Sequence, residues 1–144
     1  MELHPLLVRL AKLTDAVVVA PDTVEAFESA PGEAVLFFAG DPVRFPEGLD
    51  VAVVLPELHA LNGRSFRVGI VPRDCEDVIA RRWGVQRWPS LVFLRAGEYL
   101  ATLSRMKDWE PFVAEVREAL AARPSRRPTV GIPVVSAAPG ASCG

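Results

Sequence analysis

WGVQRWPSLVFLRAGEY, residues 83–99, sets an aromatic-Gly-Val turn, a Trp-Pro pair, an apolar run and an Ala-Gly turn in close succession. Its second half predicts an antiparallel hairpin, LVFLR and EYLATL around Ala96-Gly97, because a two-residue link is too short for a parallel crossover. Upstream, Asp74 has the chemistry to cap a helix over Cys75–Trp83, with Asp77 at the third position and Gly84 as its stop. Downstream, Asp108 is placed to cap a helix whose Trp109, Phe112, Val113, Val116 and Leu120 share a face, Pro111 being harmless in a first turn. Trp83 and Trp109 are expected in the core.

Working back toward the N-terminus, AVLFFA (34–39) is a continuous apolar run, the pattern of a strand covered on both faces. A nine-residue loop, GDPVRFPEG (40–48), follows it. LDVAVVLPELHALNG carries both strand and helix signals. Val51, Val54, Leu55, Leu58 and Leu61 fall at helical spacing and Asn62-Gly63 is a good stop, so a helix kinked at Pro56 is the reading. SFRVGIV (65–71) and AVVVA (16–20) read as strands. Asp22 with Glu25 has capping-box spacing for a short helix that buries Val24 and Phe27. Leu6, Leu7, Leu10 and Leu13 mark one face of a leading helix that opens at Pro5.

The resulting order is a leading helix, then β-α-β-α-β-α-β-β-α: an α/β sandwich with a mixed central sheet and flanking helices. Residues 1–122 form one domain. The segment 123–144, with four prolines, three glycines, three serines and three arginines, is expected to be a mobile tail.

Composition narrows the function. Of 144 residues half are apolar, and the net charge is −2. The charge is unevenly placed: residues 1–122 hold 13 Lys/Arg against 18 Asp/Glu, or −5. An acidic body argues against nucleic acid as the main ligand. Glu2, Arg9 and Lys12 interrupt any secretory signal, and no run approaches the roughly 20 apolar residues of a membrane span. A cytoplasmic protein without membrane insertion is expected. Cys75 and Cys143 are too far apart for a metal spacing or disulfide framework, and His4 and His59 have no companions. No metal, cofactor or catalytic motif is indicated.

The element order, with Trp83-Gly84-Val85 and Trp88-Pro89-Ser90 before the hairpin, resembles the thioredoxin fold over roughly residues 20–122. The resemblance implies a cis Pro89 facing a groove, and a loop after AVLFFA that in thioredoxins carries Cys-x-x-Cys. Here Pro42 to Phe45 stand there instead. Leu36 stands near the position of the buried acid that assists proton transfer in thioredoxins. Thiol–disulfide exchange needs a thiolate nucleophile and a resolving thiol. Cys75 is the one candidate, and Asp74, Glu76 and Asp77 around it oppose its ionisation.

A narrower resemblance covers nearly the whole chain except the tail. Asp41-Pro42-x-Arg44-x-Pro46-Glu47, then Asp50 and VAVVLPEL, the preceding strand, the Gly-Val-x-x-aromatic-Pro motif and the hairpin are similar to the HyaE/HupG family of NiFe-hydrogenase accessory proteins. That resemblance implies a non-catalytic maturation chaperone. Its partners would be the hydrogenase small-subunit precursor with its twin-arginine signal peptide, and other hydrogenase accessory proteins.

The residues suit such a role. Segment 41–57 sets Asp41, Glu47, Asp50 and Glu57 against Arg44 alone, a local charge of −3. Arginine pairs bidentately with carboxylates. Asp41, Glu47 and Asp50 are therefore candidate receptors for the twin arginines, with Trp88 and Pro89 as an apolar wall. Plainer roles stand beside these: Asp41 as a turn former, Asp50 as a helix cap, Glu57 on a solvated face, Arg44 paired with Glu47. Two other readings remain open at this point, a divergent thiol or peroxide-reducing enzyme using Cys75, and a thioredoxin-fold adaptor for a non-hydrogenase partner.

Overall fold

The computed structural model describes residues 3–128. In chain order these form α1 (Pro5–Thr14), β1 (Val17–Val18), α2 (Val24–Ser29), β2 (Glu33–Phe38), α3 (Glu47–Leu61), β3 (Phe66–Ile70), a 3-10 turn (Arg73–Cys75), α4 (Glu76–Trp83), β4 (Ser90–Arg95), β5 (Glu98–Ser104) and α5 (Trp109–Ala121). The five strands make one sheet in the order β1-β3-β2-β4-β5. β1, β3 and β2 run parallel; β4 is antiparallel to β2, and β5 is antiparallel to β4, so β4 alone runs against the other four.

β2 is central, and its apolar run is covered on both sides as continuous hydrophobicity requires. Val35 and Phe37 point into a core shared with α1, α3 and α5. Leu36 and Phe38 point into a second core closed by α2 and α4. This alternation is the two-residue period of a strand read against two different layers. Leu36, the residue at the expected acid position, is fully buried among apolar groups.

LDVAVVLPELHALNG is helical, as its spacing indicates, and α3 runs through Pro56. It starts at Glu47, inside the expected loop, so Asp50 lies within its first turn instead of capping it. Both acids there favour the positive end of the helix dipole. Val51, Ala52, Leu55 and Leu58 are buried, whereas Leu61 is exposed.

Several expected caps are not formed. α2 is preceded by Thr23, whose hydroxyl accepts from the Ala20 N–H at 2.9 Å, and Asp22 makes no cap. Asp74 lies inside the 3-10 turn, leaving Cys75 at the N-cap of α4, and Asp108 stands at the N-cap of α5 without a side-chain bond to it. His4 was not foreseen in this role: its Nδ1 accepts from the Leu6 N–H at 3.0 Å and closes the start of α1. Gly84, at φ +71°, does stop α4 in the left-handed conformation that suits glycine. Trp83 is buried as expected, but Trp109 is 40 % exposed, because α5 turns Phe112, Val116 and Ala119 inward.

The segment after α5 was expected to be a mobile tail. Residues 123–128 lie against the body: the Ser125 N–H donates to Tyr99 O at 2.9 Å, and the Arg127 guanidinium sits 5.6 Å from the Trp83 ring centre. The remainder of that expectation, with Cys143, falls on residues outside those described.

Two arginines tie helix ends to the sheet. From β4, Arg95 donates to Leu120 O and Ala122 O at the end of α5 and pairs with Glu33 at 2.8 Å. From β3, Arg67 donates to Phe27 O at 2.6 Å and Ala30 O at 3.0 Å, satisfying carbonyls that the end of α2 leaves open. Arg67→Met should therefore lower the unfolding free energy by roughly 1.5–3 kcal/mol in urea titration, the range for hydrogen bonds from charged donors. A loss under about 0.5 kcal/mol would remove that role.

Candidate functional site

The C-terminal ends of β2 and β3 and the loop before β4 meet at one end of the sheet. The Trp88–Pro89 peptide bond is cis. The segment standing where a thioredoxin has its cysteines folds on itself: Asp41 Oδ1 accepts from the Val43 N–H at 2.9 Å and Asp41 O from the Phe45 N–H at 2.7 Å. This brings Phe45 onto Trp88, ring centres 6.2 Å apart and nearly stacked. Arg44 lies over the other partner of that stack, 5.2 Å from the Phe45 centre.

Gly40 makes the close approach possible. It sits at φ +82°, and a Cβ there would be 2.9 Å from both Phe45 Cδ2 and Trp88 Cδ1. Beneath it lies Glu76, at the first position of α4 and only 2 % exposed. One carboxylate oxygen accepts from the Gly40 N–H at 2.9 Å; the other accepts from the Trp88 indole N–H and from Arg73, each at 3.1 Å. Burial pushes the Glu76 carboxyl above the ordinary glutamate range, and the bonds from Gly40, Arg73 and Trp88 only partly offset it.

In the sequence Glu76 stands out only as an acidic neighbour of Cys75. A sequence signal for it did exist: Glu76, Ile79, Ala80 and Trp83 fall at i, i+3, i+4 and i+7, so an acid stands in the buried stripe of α4. A buried acid needs donors around it; here Arg73 is three residues away, while Gly40 and Trp88 come from other elements.

The loop divides two depressions. On one side is a cavity of about 300 Å³ lined mainly by apolar groups, among them Leu7, Ala39, Leu49 and Val71, with Arg73 and Glu76. On the other is a groove of about 530 Å³ lined by Arg44, Phe45, Pro46, Glu47, Gln86, Arg87, Trp88 and Arg105.

The four expected acids are not gathered into one cluster. Asp41 faces Arg73 at 3.8 Å. Glu47 accepts from the Met106 N–H at 3.0 Å and faces Arg105 at 3.5 Å, so its partner is Arg105 and not Arg44. The Met106 bond, chiefly, holds the Glu47 carboxyl below its ordinary range. Asp50 and Glu57 are exposed on α3. At 1.5 Å per residue, Glu57 lies roughly 10 Å farther along the axis than Asp50. Trp88 is half-buried with its N–H turned inward, Pro89 is buried, and Arg44 is exposed.

Cys75 is packed in the second core and 8 % exposed. Burial first, then the hydrogen bond to Asp74 and that residue's charge, raise its thiol above the ordinary cysteine range. That is the opposite of what a thiolate nucleophile requires. Among the described residues no three His, Cys, Asp or Glu side chains gather as a metal ligand set, and no helix is long and apolar enough to cross a membrane.

Two outcomes follow from this geometry. Gly40→Ala meets both a left-handed backbone and two aromatic rings, and should lower stability by about 2 kcal/mol or more while shifting the Trp88 indole NMR signal. An unshifted indole with unchanged stability would contradict the close approach. For Glu76, the ordinary value is 4.5 and the folded value lies above it. Below pH 4.5 the side chain is protonated in both the folded and unfolded chain. As pH rises the unfolded chain ionises first, so the stability Glu76 contributes falls as pH passes up through its folded value. Urea titrations should show the wild type losing ground to Glu76→Gln from pH 4.5 upward. A difference that is flat or grows would contradict a folded value raised by burial.

The chain matches the family described as hydrogenase-1 expression protein HyaE over residues 6–112. It is 51 % identical over 141 residues to the hydrogenase expression/formation protein HoxO of Cupriavidus necator, covering 96 % of this chain and 88 % of that one. To HupG of Bradyrhizobium diazoefficiens, a hydrogenase expression/formation protein, it is 41 % identical over 102 residues, covering 68 % and 69 %. A crystal structure of a HupG hydrogenase expression/formation protein from Rhodopseudomonas palustris superposes with a TM-score of 0.52 at 35 % identity, over 73 % of this chain and 95 % of that one. A thioredoxin variant from Halobacterium salinarum superposes with a TM-score of 0.60 at 16 % identity, over 76 % and 94 %, which bears on the fold alone. With the mixed five-stranded sheet and its flanking helices, these likenesses make the fold thioredoxin-like, and the chain belongs to the HyaE family of hydrogenase expression/formation proteins.

Proposed function

We propose that this protein is a non-catalytic cytoplasmic chaperone of NiFe-hydrogenase maturation, binding the small-subunit precursor and its twin-arginine signal peptide before export. The observation that carries the reading is the loop Gly40–Pro46. It keeps the position beside the cis Trp88–Pro89 bond, replaces sulfur with a self-bonded turn, and leaves an apolar cavity open next to α3.

A signal peptide of this class offers two guanidinium groups and then an apolar segment. The apolar segment fits the cavity lined by Leu7, Ala39, Leu49 and Val71. Asp50, one residue beyond Leu49 and exposed, has no salt-bridge partner among the described residues and offers its carboxylate to an arginine, with Glu57 farther along the same helix. Asp41 and Glu47 join by exchange. Their present partners, Arg73 and Arg105, are themselves about half exposed, and such surface pairs are worth about 0–1 kcal/mol. A thiol-enzyme reading through Cys75 has the buried, high-pKa thiol against it.

Calorimetric titration with a NiFe-hydrogenase small-subunit signal peptide tests this directly. Replacing both peptide arginines by alanine should weaken binding at least tenfold, about 1.4 kcal/mol. Asp50→Lys with Glu57→Lys should do the same, and added salt should weaken the wild-type complex. Affinity that ignores both changes would leave no role for the carboxylates, and absence of binding would end the signal-peptide account.

A further inference from the structure

The groove on the other side of the loop has the opposite charge. Arg44, Arg87 and Arg105 line it against Glu47 alone, a local +2 on a body whose first 122 residues carry −5. Four other arginines of the fold are engaged, whereas Arg9, Arg81 and Arg117 are exposed but do not line this groove. Arg67 is spent on α2 carbonyls, Arg73 on Asp41 and Glu76, Arg82 on Glu28, Arg95 on Glu33. By contrast, Arg44 and Arg87 have no carboxylate within 4.0 Å among the described residues, and both are exposed. Arg105 reaches Glu47 only at 3.5 Å, from a residue at φ +76° whose N–H is fixed on Pro89 O at 2.7 Å.

Between the arginines lie Phe45 and Trp88, with the indole N–H of Trp88 already bound to Glu76. The floor of the groove is thus aromatic surface and its rim is guanidinium. We propose that this groove is a second docking site, taking an extended acidic segment of the client protein: carboxylates on Arg44, Arg87 and Arg105, and an apolar side chain between them on Phe45 and Trp88. Guanidinium recognises carboxylate bidentately, and arginine with aromatic residues is the composition of binding hot spots. An acidic polypeptide is favoured over nucleic acid because a chain of net negative charge repels a long phosphate backbone, whereas a short segment meets only the +2 rim. The inference rests on the chaperone reading for the identity of the client, and on the groove alone for its charge.

The test uses the full chain, wild type and R44E/R87E, on overlapping fifteen-residue peptides spanning the small-subunit precursor, its signal peptide included. A single-stranded oligonucleotide is run beside them. Circular dichroism and urea titration check that the variant is folded, and R44K/R87K serves as the charge-conserving control. The expected result is a set of bound peptides that carry two or more net negative charges. Their affinity should fall at least tenfold in R44E/R87E, hold within about threefold in R44K/R87K, and drop with salt. The signal-peptide spots should not weaken in R44E/R87E. Retained binding of every peptide by the variant, loss confined to neutral or basic peptides, or an oligonucleotide bound more tightly than any peptide would each overturn the assignment. Bright acidic spots with a dark signal peptide would remove the function proposed above and leave this site standing; the reverse pattern would overturn this site alone.

Discussion

A carboxylate almost out of reach of water must be surrounded by donors, and Glu76 draws its donors from three places in the chain. The Gly40 N–H comes from the end of β2, the indole of Trp88 from the loop before β4, and Arg73 from the turn before α4. No one of these is near the others in sequence. Meeting the hydrogen-bonding needs of a single buried acid therefore fixes the loop, the cis-proline segment and the start of α4 against one another. The position of Phe45 on Trp88, and with it the division into two depressions, depends on that arrangement.

The consequence is a separation of charge and polarity across a few residues. Asp41 turns back into the loop and toward Arg73, while Glu47 turns to Arg105 and Met106. What remains is an apolar cavity with exposed carboxylates on the adjoining helix, and an aromatic groove rimmed by arginine. A thioredoxin-like frame that has no sulfur in this loop keeps a concave end and gains two surfaces of unlike character.

The order of elements was legible because it rests on local signals. Continuous apolar runs marked buried strands, the 3.6-residue spacing marked α3 in spite of Pro56, and Gly84 and Ala96-Gly97 marked stops and turns. Cap assignments at Asp22, Asp74 and Asp108 fared worse. A suitable side chain is necessary for a cap, but its rotamer and the local turn decide whether the bond is made, and a 3-10 turn or a neighbouring threonine can take its place. Trp109 was misplaced because a helix face of five large residues is wider than the stripe that α5 can bury, and its edge stays in water. The acidic character of segment 41–57 was visible as composition; which acids already had partners was not.

By itself, the sequence determined the sheet and its covering helices, the loss of thiol chemistry from the loop after β2, and the membership of the chain in a hydrogenase accessory family. The sheet, its helices and the missing thiols follow from residue type and spacing along one stretch at a time, and the family from the likeness of whole motifs to its members. Only the tertiary structure decided that Glu76 lies under the site, that Glu47 belongs to Arg105, and that Arg44, Arg87 and Arg105 share one groove. Residues 44, 87 and 105 are brought together by the antiparallel packing of β2, β4 and β5. Charge seen along the chain is a sum, whereas charge at a surface depends on which side chains the fold has already satisfied.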